Sequence, residues 1–377
     1  MRNVDRIKTT HVGSLPRPPA LLDMLRAQQR GEAVDAEAYR WLLKDSVAEV
    51  VKQQHENGID IVSDGEFAKS SFQNYAHERL SGFGPLKTPH ENPRVKSRDR
   101  RDFAEFYKEE GTTANPLTLG CIGPIEYTGN EILGSVLEDF KAATAQTPVT
   151  AGFVACVAPS NFGTGENEFY ANDDEFMVAV AKALRTEYEA VVNAGFYLQI
   201  DAPVGPFELF DYTVADYRKH LEFSIEVLND ALRNIDPAKV RYHICWGSWN
   251  GPHVHDIPVG DIIDIIFKAR AMGISLEAAN PRHEHEFMAW DRVKLPDDKV
   301  LIPGFISHAT NIVEHPELVA HRIKNFAQRV GKERVIASSD CGFAQSAFTR
   351  RVHPTIMWAK FRALREGADL ASKDLWK

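Results

Sequence analysis

Eight short β-branched or apolar runs, each ending in polar residues, recur along this chain and constrain its fold more than any other feature. They are TTHVGS (9–14), IDIVSDGE (59–66), VTAGFVACVAP (149–159), FYLQIDAP (196–203), VRYHICW (240–246), ISLEAAN (274–280), LIPGFIS (301–307) and VIASSDCG (335–342). Stretches of helical periodicity lie between or beside them, at 19–29, 36–57, 173–194, 213–235, 258–272, 314–330 and 353–370. Asn172-Asp173-Asp174 supplies cap chemistry for one of these helices, and Gly195 and Gly331 are placed as C-terminal stops. Strands separated by helices pair in parallel through crossovers, and eight such units make a (β/α)8 barrel. The expected fold class is therefore α/β, a single (β/α)8 TIM barrel over residues 1–377.

Residues 72–147 break the alternation. This segment is punctuated by Pro and Gly, highly charged at 94–110, and carries one further strand-like run, PLTLGCIGP (116–124). It reads as an inserted lobe or lid between barrel units two and three, or as an oligomer contact, because long excursions from a compact fold are usually functional. With 44 Lys+Arg against 53 Asp+Glu, the net charge of −9 leaves no broad basic face for nucleic acid. No apolar run reaches the roughly 18 residues of a membrane helix, and MRNVDRIKTTHVGS lacks the apolar core of a signal peptide. A cytoplasmic enzyme acting on small molecules is the expectation, with neither nucleic acid nor membrane as a partner.

Four cysteines, at 121, 156, 245 and 341, are too few for a disulfide scaffold. A Cys in a reducing compartment is by default a small buried hydrophobe, and Cys121 and Cys156 keep that reading. His243 and Cys245 differ. Two residues apart on one strand, they face the same side, and Cys341 ends another strand. An imidazole with two thiolates suits zinc and leaves a fourth position open. All three fall at C-terminal strand ends, where barrel active sites form. Glu277, at the end of an intervening strand, is a candidate fourth ligand that leaves when substrate binds.

Other polar residues gather at the same rim: Ser14, Glu66, Asp201, the loop GSWNGPHVHD after Cys245, NPRHEHE (280–286) and His308. His253, His255, His283, His285 and His308 are candidates for proton transfer near neutral pH. Trp246 and Trp249 are candidate walls of the site, and Arg17 or Arg282 could pair with an anionic group such as a sulfonate.

TTHVGSLPR, DGE, QIDAP, HICW, LEAAN and SSDCG occur in the order and spacing found in the catalytic barrel of cobalamin-independent methionine synthases and their zinc-dependent alkyltransferase relatives. The chain resembles that family over 9–342. The resemblance implies zinc held by His243, Cys245 and Cys341 with Glu277 nearby, and a thiol pocket lined by Val12-Gly13-Ser14, Glu66 and Asp201. It also implies a homo-oligomer.

Two motifs depart from the family pattern. Its IDEP reads Ile200-Asp201-Ala202-Pro203, and Ala309 takes the place of a catalytic His. The neighbouring His308 is one residue out of step, and such a shift on a strand turns a side chain to the opposite face. There is also no room for the second barrel that helps full-length methionine synthases hold a polyglutamyl folate. The first expectation is therefore transfer of an alkyl group to a small thiol, with coenzyme M opening an epoxyalkane to 2-hydroxyalkyl-coenzyme M. The rim histidines would protonate the alkoxide. The alternative is methyl transfer to homocysteine from a methyl-folate or simpler donor, favoured by Glu66 and Asp201 because carboxylates suit an amino group. A metal-free lyase with structural cysteines is the competing reading from another class.

Overall fold

Seven of the eight expected strands form one parallel sheet in a computed structural model that describes residues 1–72, 74–110, 117–162 and 166–377. The strands, with a separate hairpin counted in chain order, are β1 (Ile61–Ser63), β2 (Phe83–His90), β3 (Leu117–Cys121), β4 (Ala151–Val157), β5 (Tyr197–Pro203), β6 (Val240–Cys245), β7 (Gly273–Leu276), β8 (Val300–Ile306) and β9 (Ser338–Ser339). The large sheet runs β1-β4-β5-β6-β7-β8-β9, and it curls. The eighth expected strand contributes a parallel bridge from Thr9 to Ala337 beside β9. On the other side, the Thr9 carbonyl accepts from Asp60 and Ile61 N–H at 3.1 Å, next to β1. Residue 9 thus stands between the two edge strands.

The period-2 pattern of the strands sorts the core into two parts. Leu198, Ile200 and Ala202 of β5, with Val240, Tyr242 and Ile244 of β6, join the large cluster between sheet and helices. Ile61, Phe153, Val300, Ile302 and Ile336 form a second, smaller cluster. Above it the registered layer Asp201↔His243↔Ser275 runs across three adjacent strands, with Gln199↔Arg241↔Gly273 one step below. Arg241 is buried there against the Phe153 ring, 4.1 Å from its centroid, and donates to the His11 carbonyl at 2.7 Å. The apolar cluster therefore floors a polar layer that carries the candidate site.

Helix ends follow the capping rules. The Asn172 side chain accepts from Glu175 N–H at the start of Asp173–Asn193, and Pro316–Val330 ends at Gly331, whose φ is 94°. Two expectations are corrected. The helix anticipated over 258–272 shrinks to a single turn, Ile263–Ile266, because the Asn229 side chain captures the Lys268 carbonyl and the Arg270 N–H. Within the 72–147 segment, Asn130–Gln146 is a full helix packed against Ala36–Glu56 and Asp173–Asn193. Its buried Leu133, Val136, Leu137, Phe140 and Ala143 keep helical spacing.

The rest of that segment holds the antiparallel β2–β3 pair and the short helices Arg98–Asp102 and Ala104–Glu109. Residues 73 and 111–116 of the expected lobe lie outside the described residues. The short helices clasp the loop after β6. Asp99 Oδ2 accepts the His253 N–H at 2.8 Å, and Trp249 Nε1 donates to the Tyr107 hydroxyl at 3.1 Å. Among the described residues no helix is long and apolar enough to cross a membrane.

Candidate metal centre

His243, Cys245 and Cys341 converge, with one ligand atom from each lying within 4.8 Å of the others. The two sulfurs are 3.7 Å apart as free thiols. Two thiolates on a tetrahedral ion with bonds of about 2.3 Å would stand about 3.8 Å apart, so this spacing fits zinc. The Ser275 hydroxyl lies 3.1 Å from His243 Nδ1 and fixes the ring. His243 Nε2 is left buried with no hydrogen-bond partner. Hydrogen bonding from Cys245, with His243 and His308 nearby, holds the Cys341 thiol well below the ordinary range. Cys245 is pushed up by the same bond and by burial. An imidazole with two sulfurs is a borderline-soft donor set that fits zinc.

Carboxylates border one side of this group. Asp201 lies within electrostatic reach of His243, Glu66, Lys69 and Cys341, and burial carries its pKa up to about 7. Glu66 is also raised by burial, and it adopts a left-handed φ of 59°. Gly13 permits its approach: a Cβ there would meet Glu66 Oε1 at 2.5 Å. Lys69 Nζ reaches Glu66 Oε2 at 3.2 Å and is the buried cation beside the pair. The Ser14 carbonyl accepts the Phe343 N–H at 2.8 Å, tying the 12–14 turn to the loop after Cys341. Arg17 Nη2 donates to the carbonyls of Glu66 and Lys69 at 2.7 and 2.6 Å. It thereby clamps the turn that presents Glu66, while its Nε and Nη1 have no hydrogen-bond partner among the described residues.

The rim histidines separate sharply. His308 is buried with both ring nitrogens unpartnered, and burial lowers its pKa to about 4. It lies near Cys341, so the expected turn to the opposite face does not occur. β8 ends at Ile306, and beyond that point strand alternation no longer applies. His283 instead has both nitrogens engaged, by Asp256 at 3.1 Å and Glu286 at 3.2 Å. Burial alone would lower its pKa, but those carboxylates carry it up to about 10. His253 pairs with Asp256 and stacks on Trp249. His255 contacts Asp102, and His285 is exposed in an outer groove with His321. The proton-transfer roles expected of His253, His283 and His285 find no free nitrogen or no proximity to support them.

Trp246 is also corrected. It is 1% exposed, donates Nε1 to the Ile257 carbonyl at 2.7 Å and stacks on His283 at 4.0 Å, so it packs behind the site. Glu277 is buried, with one oxygen accepting the Trp246 N–H and the other the Asn280 amide. In this arrangement it stands beside the three-residue group and outside it. Arg282 donates to the Val254 carbonyl on an exposed loop. Cys121 bonds the Gly123 carbonyl and Cys156 the Glu187 carboxylate, and neither joins the three-residue group.

Sequence reasoning missed Lys69, Asp340 and Arg351. Asp340 Oδ1 accepts the Ala278 and Ala279 N–H groups at 2.8 Å, anchoring the loop that carries Glu277. Lys69 follows Glu66 by three residues in DGEFAK, a spacing that one turn brings together.

A parallel α/β sheet with one His and two Cys converging at its strand ends, flanked by carboxylates, defines a class of protein with a group that could hold a metal ion. The family described as "Cobalamin-independent synthase, Catalytic domain" matches residues 7–104. The chain is 24% identical over 382 residues to a methionine synthase of Saccharolobus islandicus, covering 100% of this chain and 98% of that one. It is 23% identical to a methionine synthase of Thermococcus kodakarensis over 98% of this chain and 94% of that one. Among solved structures it resembles a B12-independent methionine synthase from Shewanella sp. W3-18-1, described in complex with selenomethionine. The TM-score is 0.74 at 20% identity, over 98% and 99% of the two chains. That likeness supports the TIM-barrel-like fold.

Proposed function

We propose that this chain is a zinc-dependent enzyme that transfers a methyl group to the thiol of homocysteine. The observation that carries the reading is the carboxylate pair beside the His243–Cys245–Cys341 group, Glu66 buried and Asp201 partly exposed. Asp201 keeps a raised pKa although His243 and Lys69 are near, and Glu66 does so beside Lys69 and Arg17, so a further cation would favour the ionised pair, and the ammonium of an amino acid supplies one. Coenzyme M carries no such group. The names of the relatives point the same way and move the reading from epoxyalkane opening to methyl transfer. In this reading the sheet closes through residue 9 as a (β/α)8 barrel, and the residues between β1 and Asn130–Gln146 form a lobe over the loop after β6.

Zinc held by His243, Cys245 and Cys341, with Glu277 in reserve, would supply Lewis acidity that deprotonates an incoming thiol otherwise titrating near 8.5. Ser275 keeps the His243 ring oriented, and Asp340 holds the Glu277 loop. Glu66 and Asp201 orient the amino acid so that its sulfur points at the donor carbon. The sulfur–methyl bond forms as the donor–methyl bond breaks. His308, whose ring nitrogens have no partner among the described residues and whose lowered pKa keeps it neutral, would relay a proton to the leaving atom through its imidazole N–H.

The direct test incubates zinc-loaded protein with homocysteine and methyltetrahydrofolate or a simpler methyl donor, and separately with coenzyme M and epoxypropane. Zinc-dependent methionine formation is expected in the first mixture. Consumption of coenzyme M with no methionine from any donor would overturn the reading.

A further inference from the structure

Arg351 has no role in the mechanism above, yet it is a half-buried cation beside the centre. It lies on the loop between Cys341 and the helix Pro354–Leu375. Among the described residues its Nη1, a buried atom, has no hydrogen-bond partner. A guanidinium N–H in that state loses water and gains nothing, a cost that a ligand oxygen would remove. The charges it feels are those of Cys341, Cys245 and Glu277, so it faces the metal group.

Its position relative to the carboxylates is informative. Asp201 is surrounded by His243, Glu66, Lys69 and Cys341, whereas Arg351 and His308 act on one another. Homocysteine bears its ammonium and carboxylate on the same carbon. With the ammonium held by Glu66 and Asp201, its carboxylate stays on their side. The cation on the His308 side is therefore available to the other reactant.

We propose that Arg351 is a specificity-determining residue that receives an anionic group, a carboxylate or its sulfonate or phosphate equivalent, on the alkyl donor. This rests on reading the site as one that alkylates homocysteine. A charge-assisted hydrogen bond from Nη1 would hold the donor with its reactive carbon over the sulfur.

The test uses two small alkyl donors of nearly equal shape, chloroacetate and chloroacetamide, on zinc-loaded protein carrying homocysteine. In each case the S–C bond forms, the C–Cl bond breaks and chloride leaves with the electron pair. Mass spectrometry reads the S-alkylated homocysteine. Arg351→Gln is expected to slow chloroacetate by about tenfold or more relative to chloroacetamide, and Arg351→Lys to restore part of the difference. Binding of unreactive propionate over propionamide, followed by ligand-observed NMR, is expected to vanish in Arg351→Gln. Zinc content, melting temperature and calorimetric affinity for homocysteine are expected to stay unchanged.

Equal slowing of both probes, or loss of zinc, would overturn the proposal and leave Arg351 as a counter-charge to the thiolates. A fall in homocysteine affinity would overturn it too, by assigning the anion to the thiol substrate. Failure of wild-type protein to bind homocysteine would instead bring down the underlying reading, and the proposal with it.

Discussion

Two groups of titratable side chains sit side by side at the strand ends, and they differ in how completely their hydrogen bonds are made. Around His283 everything is paired: Asp256 and Glu286 take its two nitrogens, His253 joins Asp256, and Trp246 stacks on the ring. Around Cys341, His243 Nε2, both nitrogens of His308 and Arg351 Nη1 are buried without partners among the described residues. A closed network stabilises the fold, whereas a cluster of unpaired polar atoms is shaped for something that binds. By that criterion we read the 253–286 cluster as scaffold and the Cys341 cluster as the proposed site.

The sharpest way to break the contrast is to remove a sulfur. Cys245→Ser or Cys341→Ser is expected to abolish zinc retention and lower methyl transfer on the order of 10³-fold, read by metal analysis and methionine formation. Full activity in either variant would void the assignment.

On the scaffold side, His283→Leu should cost about 3 kcal/mol at pH 6, because it strands two buried carboxylates, while zinc content persists. The sign follows from a folded-state pKa raised from 6.5 to about 10. Stability from protonating His283 is fully present below about 6.5 and is lost as pH rises through about 10, so the gap to wild type should narrow at high pH. Urea denaturation at both ends of that range checks it.

Asp201→Asn is expected to raise the KM for homocysteine about tenfold, the loss of one charge-assisted hydrogen bond, with zinc still bound. His285→Ala, on the exposed outer groove, is expected to change neither stability nor turnover beyond about 0.5 kcal/mol. A large effect there would mean that the outer groove belongs to the site.

Strand geometry decided what could be read in advance. His243 and Cys245 share a face because they are two apart on β6, and Asp201 registers against His243 on the neighbouring strand. Trp246 lies just past β6, and the Ile257 carbonyl and the His283 ring hold it behind the site. Past the strand ends the rule lapses. His308 turns toward Cys341 although it follows β8 by two residues, and His283 and His285 part company on one short 3-10 helical stretch, one 3% exposed and the other at the surface. Arg351 and Lys69 depend on loop conformation, which periodicity does not encode. The helix Asn130–Gln146 was legible from its apolar spacing but was hidden inside a segment read as an excursion.

The central claim, that His243, Cys245 and Cys341 hold a zinc ion open to the thiol of homocysteine, is tested most directly by zinc X-ray absorption before and after adding L-homocysteine. The expected result is two sulfurs and an imidazole nitrogen in the resting protein and one additional sulfur with homocysteine. An unchanged zinc shell on saturation with homocysteine, or a resting shell without sulfur, would contradict it.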